Sequence, residues 1–132
     1  MRTLHDVNAV AMYVQYLALS IAMLASFAYI YMLATPYHDI DNIKQGKVCS
    51  ALAMGGAILG FTATLVVASY YGATVLDFIE MAATSCAVQV IALIILRKLL
   101  PGAVEDNNVA GATLYACAAV AVGLLNAASF IP

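Results

Sequence analysis

Charge is scarce in this chain: five basic and seven acidic side chains among 132 residues, or 9%. A soluble domain carries about 25% charged residues, so that class is excluded. Five bases within a net charge of -2 form no basic patch, which also excludes a nucleic-acid binder. Histidine occurs only twice. Neither Ser85 nor Cys86 has a base beside it in sequence, so the chain is expected not to be an enzyme and to need no cofactor. The cysteines, Cys49, Cys86 and Cys117, are odd in number and their spacing matches no metal site. They are expected to be buried, small and apolar. Tryptophan is absent, so the interfacial aromatics are tyrosines.

What the chain has in abundance is apolar length. Hydrophobic residues make up 65% of it. The runs Val7–His38, Val48–Leu76, Met81–Leu96 and Asn107–Pro132 contain no acid, lysine or arginine. A spanning helix needs about 20 apolar residues. The third run qualifies because Arg97 and Lys98 can extend to the interface on long stems. The first run is too long for the apolar core of a cleavable signal, and only Arg2 precedes it, so it stays as a helix. The expected fold is an all-α integral membrane four-helix bundle that fills residues 1–132 and leaves no soluble domain. Its helices fall at about Val10–Ala34, Val48–Tyr70, Thr74–Lys98 and Val109–Phe130.

The third span calibrates depth. Glu80 and Arg97 are separated by uncharged residues over roughly 26 Å of helix rise, a little less than a hydrocarbon core of about 30 Å. Glu80 therefore lies at the lipid edge or just inside it. Lys44, Lys47, Arg97 and Lys98 fall on one side of the bundle and Arg2 on the other. The positive-inside rule places loops 35–47 and 101–108 in the cytoplasm and both termini outside. Tyr13 and Tyr16 then mark the outer interface, and Tyr29 and Tyr31 the inner one.

Pro36 stops the first helix, and the segment after it lies along the headgroups as a loop. His38 in that loop reads as solvated, with pH sensing or partner contact as the alternative. In the second span Ala53, Gly56, Gly60 and Thr64 recur with Cys49 on one small-residue face, and Gly56 and Gly60 form a GxxxG. Ala119 and Gly123 make a similar step in the fourth. Such faces pack either within one molecule or between copies, and in the second case Gly56→Leu disrupts assembly.

Thr74 to Asp77 fits a capping box, which gives Asp77 a structural role, and Asn108 is an N-cap candidate. Glu80 lies one turn deeper on the face of Asp77. Gln89 is near mid-membrane, where an amide must face another helix. With Gln15 and Asn126 also in the outer half, Asp77, Glu80, Gln89, Gln15 and Asn126 form a candidate polar vestibule or cation site.

The chain also divides into two hairpins, about residues 8–70 and 74–131, each with a long helix, a proline-terminated end, acidic residues and an Ala/Gly-rich helix. Two-span units of this kind share one orientation. The residues Thr35-Pro36-Tyr37-His38, Ile43-Lys44, Ser50 through Gly56 with Leu59-Gly60, then Asp77, Gln89 and Asn126-Ala127-Ala128 resemble the YjfL-like family of small bacterial inner-membrane proteins. Glu80 lies outside the residues that carry the resemblance. The resemblance implies a bacterial inner-membrane location, a tandem hairpin and partners connected with envelope stress. It implies no active site. Expected partners are the lipid bilayer and either further copies of the chain or other membrane proteins. The leading function is a non-enzymatic assembling component. The alternative is a small oligomeric channel or proton-coupled transporter with Asp77 and Glu80 at its outer mouth.

Overall fold

The computed structural model describes residues 2–35, 39–104 and 106–132. The order of elements is α1 (Arg2–Ala34), α2 (Asp39–Lys44), α3 (Val48–Tyr71), α4 (Val75–Leu99) and α5 (Val109–Ala128). All but α2 are long and apolar enough to cross a membrane. Their apolarity extends around every face, so burial selects a stripe on each helix and leaves the rest to lipid. The all-helical bundle is as expected, with boundary changes. α1 starts eight residues earlier than expected. The segment expected as a loop contains the single turn and a half of α2, closed by Gly46 at φ 81° with its amide donating to the Ile43 carbonyl (2.9 Å). Pro36 and His38, expected as the stop of the first helix and a solvated loop histidine, lie outside the described residues.

The bundle is built on α3 against α5, which share its most extensive interface. A Cβ on Gly56 would come within 2.6 Å of the Ala116 Cα, and a Cβ on Gly123 would collide with the backbone of Gly60. The contacts advance in the same direction on both helices, so α3 and α5 run parallel. Such close backbone approach is how apolar helices gain contact in lipid, where the tails offer the same hydrophobicity as a neighbouring helix. The face of Ala53, Gly56, Gly60 and Thr64 is buried, and the residues meeting it include Ala119 and Gly123. The small-residue face is therefore used inside one molecule. Gly55, next in sequence, has open space where its Cβ would be.

α4 packs against both α3 and α5, antiparallel to α5. α1 packs on α3 and α4 through aromatic rings. Phe27 stacks on Phe61 with centroids 4.5 Å apart, and Tyr16 meets Phe78 edge-on at 5.7 Å. Each such pair adds about 0.5–1.5 kcal/mol beyond area burial. Only 11% of the most apolar window of α1 is buried, against 44% in α3, so α1 is the outermost span and α3 the central one.

The cysteine expectation holds for Cys49, which is buried, and is corrected for Cys117, which is exposed, and Cys86, which is half-buried. In a lipid-facing helix the outer surface is itself apolar, so a small thiol has no need of the core.

The seam is checked by unfolding measurements in lipid. Gly123→Ala is expected to cost about 1–3 kcal/mol through overpacking, and Gly55→Ala to stay within about 0.5 kcal/mol of the parent. Equal stability in the two variants would mean that α3 and α5 do not touch along this line.

Candidate functional site

Polar side chains inside the bundle gather at two depths. The first is mid-membrane, on the buried edge of α4. Gln89 is fully buried and donates from Nε2 to the Ala119 carbonyl across the α4–α5 interface (3.1 Å). One turn toward the start of α4, Asn126 of α5 donates from Nδ2 to the Ser85 carbonyl (3.4 Å). The two bonds run in opposite directions between the same helices. Room for the Gln89 amide comes from α3: a Cβ on Gly60 would stand 2.6 Å from Nε2 and 2.5 Å from the Ala119 oxygen. Gly60 thus serves both the helix contact and the hydrogen bond. The Gln89 side-chain acceptor, Oε1, and the Ser85 hydroxyl have no hydrogen-bond partner among the described residues. Nothing titratable belongs to this group, so it clamps helices and cannot relay protons by itself.

The second depth is the end of the bundle where α1 and α4 finish and α5 begins. Arg97 donates from Nη2 to the Tyr31 hydroxyl of α1 (2.9 Å), and its guanidinium carbon lies 5.5 Å from the Tyr31 ring centroid and 5.8 Å from that of Tyr115 in α5. One cation therefore joins α1, α4 and α5 through a hydrogen bond and two aromatic faces. Sequence reasoning misses this cluster, because position alone puts Tyr31 in the interfacial belt and Arg97 at the headgroups and gives Tyr115 no role. The usable signal was depth. Tyr31 is near the end of α1, Arg97 near the end of α4 and Tyr115 within two turns of the start of α5, all at the same side of the membrane.

The vestibule residues are dispersed. Asp77 completes the capping box: its backbone N–H donates to the Thr74 Oγ1 and its carboxylate accepts from the Thr74 N–H, both at 3.2 Å. Glu80 and Gln15 are exposed, on α4 and α1. Asn126 and Gln89 face the α4–α5 interface as above. Crevices of about 480, 440, 580 and 160 Å³ run along the bundle, and none of these four is lined by any of the five residues. Asn108 caps α5, accepting from the Gly111 N–H (3.2 Å). Among the described residues no group of three or more His, Cys, Asp or Glu side chains is placed to hold a metal.

Comparison with known proteins agrees with this picture of apolar spans. Residues 4–130 match the family model described as Domain of Unknown Function (DUF350). The UPF0719 inner membrane protein YjfL of Escherichia coli strain K12 is 25% identical over 128 residues, covering 95% of this chain and 97% of that protein. The protein of the same name from Escherichia coli O157:H7 matches to the same extent. No solved structure matches the chain.

Tyr31→Phe removes an acceptor from a partly buried guanidinium and is expected to lower the unfolding free energy by about 1–2 kcal/mol. Tyr29→Phe, two residues away and exposed, is expected to leave it unchanged. Thermal unfolding of both variants in nanodiscs checks the pair.

Proposed function

The chain belongs to the DUF350 family and is a multi-pass inner-membrane protein, and from that premise we propose that it is a non-enzymatic component that acts by assembling with itself or with other membrane proteins in envelope maintenance or stress. The observation that carries this reading is the closed interior. At mid-membrane the two side-chain amide N–H groups are spent on helix-to-helix bonds, Gln89 to the Ala119 carbonyl and Asn126 to the Ser85 carbonyl. Glycines 56, 60 and 123 bring backbones together where a conduit would need space. Meanwhile α1 offers lipid or a partner nearly all of its length, with Val10, Tyr13, Leu17 and Ile21 exposed. The link to envelope stress comes from the family resemblance alone.

The channel reading moves any pathway to a surface between copies, because Glu80 is exposed on α4 and Asp77 serves as a cap. Gly56→Leu is a poor probe of assembly, since Gly56 lies against Ala116 of the same molecule and the variant reports on folding.

Extraction with native lipids followed by mass measurement, with proton and cation flux assayed in liposomes, separates the two. The expected result is an assembly of copies or a co-purifying membrane protein, with no flux above protein-free vesicles. A lone monomer without partners would overturn the proposal. So would pH-dependent flux that falls in Glu80→Gln, which would establish the channel instead.

A further inference from the structure

Between α1 and α4 a crevice of about 480 Å³ opens toward lipid, with Phe61 of α3 among its lining residues. Met23 and Ile30 line it on α1, and Ala83, Ala87 and Ile91 on α4. The small α4 side chains create the gap, because α1 is held off by its aromatic contacts while alanines leave the facing wall shallow. The lining is almost wholly apolar. Its one hydroxyl, Ser26 Oγ, is folded back onto the Ala22 carbonyl (2.8 Å) and is not offered to an occupant. Only hydrocarbon suits such a surface.

Charge is added at one end. On α4, Ala87, Ile91, Ile94 and Lys98 follow one another at spacings of four, three and four residues, so Lys98 stands on the same helix face as the crevice wall. The distance along the axis from Ile91 to Lys98 is about 10 Å, and from Ala83 about 22 Å. One leaflet of the hydrocarbon core is about 15 Å deep. A chain anchored at the level of Lys98 therefore reaches the Ile91 end of the crevice within its own leaflet. Lys98 is exposed and makes no ion pair among the described residues. The carboxylate of Asp106, in the neighbouring turn, lies over Gly102. Arg97 directs its guanidinium inward to Tyr31 and leaves Lys98 as the cation on the lipid-facing side.

We propose that the α1–α4 crevice and Lys98 together form a binding site for an anionic phospholipid, the acyl chain lying over Phe61 and between Met23 and Ile91, and the phosphate paired with the ammonium. Basic residues at the cytoplasmic ends of spanning helices attract anionic headgroups by about 1 kcal/mol each. A neutral zwitterionic lipid fills the same crevice without that gain. The site stands whether the chain acts alone or in an assembly.

The absence of tryptophan makes the test direct. Ile91→Trp introduces a single indole at the crevice in a lipid-exposed position, and Leu124→Trp places one on exposed α5 as a reference. Each variant is reconstituted in phosphatidylcholine vesicles with increasing amounts of acyl-brominated phosphatidylglycerol or acyl-brominated phosphatidylcholine, and quenching is recorded. Half-maximal quenching at Ile91→Trp is expected at a mole fraction about fivefold lower for the anionic lipid, the factor that about 1 kcal/mol gives. Adding Lys98→Gln is expected to bring the ratio close to one, and Leu124→Trp to show no preference. Equal quenching by the two lipids at Ile91→Trp, a preference that survives Lys98→Gln, or the same preference at Leu124→Trp would each overturn the proposal.

Discussion

Everything else in the bundle depends on how close α3 and α5 come to one another. In water that approach would be driven by exclusion of apolar surface; in lipid, dispersion contact and hydrogen bonding carry it, and both fall off steeply with separation. Gly60 facing Gly123, and Gly56 facing Ala116, bring the two backbones into contact. α4 then has a firm double wall to lie against. α1, which touches α3 and α4, is held by rings instead of by backbone proximity.

The same closeness decides where polar groups can be. An amide at mid-membrane costs several kcal/mol when left unpaired, so Gln89 requires a carbonyl and a space. Ala119 provides the first and Gly60 the second. The two positions are thereby coupled. A side chain at Gly60 would displace both the facing helix and the amide, and substitutions at 60 and 89 are not independent in their effects. Arg97, near the end of α4, is handled by a different route, since a guanidinium is too large for a glycine-lined seam and is received by aromatic faces.

Much of this was legible in the sequence. Long charge-free runs specified the spans, because composition and length alone decide membrane insertion. The capping box at Thr74 and Asp77, and the Asn108 cap, were readable because their partners are three residues away. The helical spacing of Ala53, Gly56, Gly60 and Thr64 identified a face but not what would cover it. Pairings across 30 or more residues, such as Gln89 with Ala119 or Arg97 with Tyr31, leave no local trace. The dispersal of Gln15, Glu80 and Asn126 follows from the same gap: depth along the membrane was known, while rotation about each helix axis was not.

The two hairpins also pack differently, and the difference is informative. Cys49, Ala53, Gly56, Gly60 and Thr64 on α3 share their spacing with Ala112, Ala116, Ala119, Gly123 and Ala127 on α5, a constant separation of 63 residues in the numbering. The second helix of each hairpin therefore presents a similar small-residue line to the other. The first helices do not follow suit. α4 settles between α3 and α5, whereas α1 takes a place against α3 and α4. It is at the α1–α4 contact that Arg97 meets Tyr31 and that the lipid-facing crevice opens. The small-residue lines of α3 and α5 hold the bundle together, while the crevice between α1 and α4 lies on the surface turned toward lipid. The exposed walls of that crevice, Ile30 on α1 and Ala87 and Ile91 on α4, can accordingly change without disturbing the glycine seam on which the fold rests.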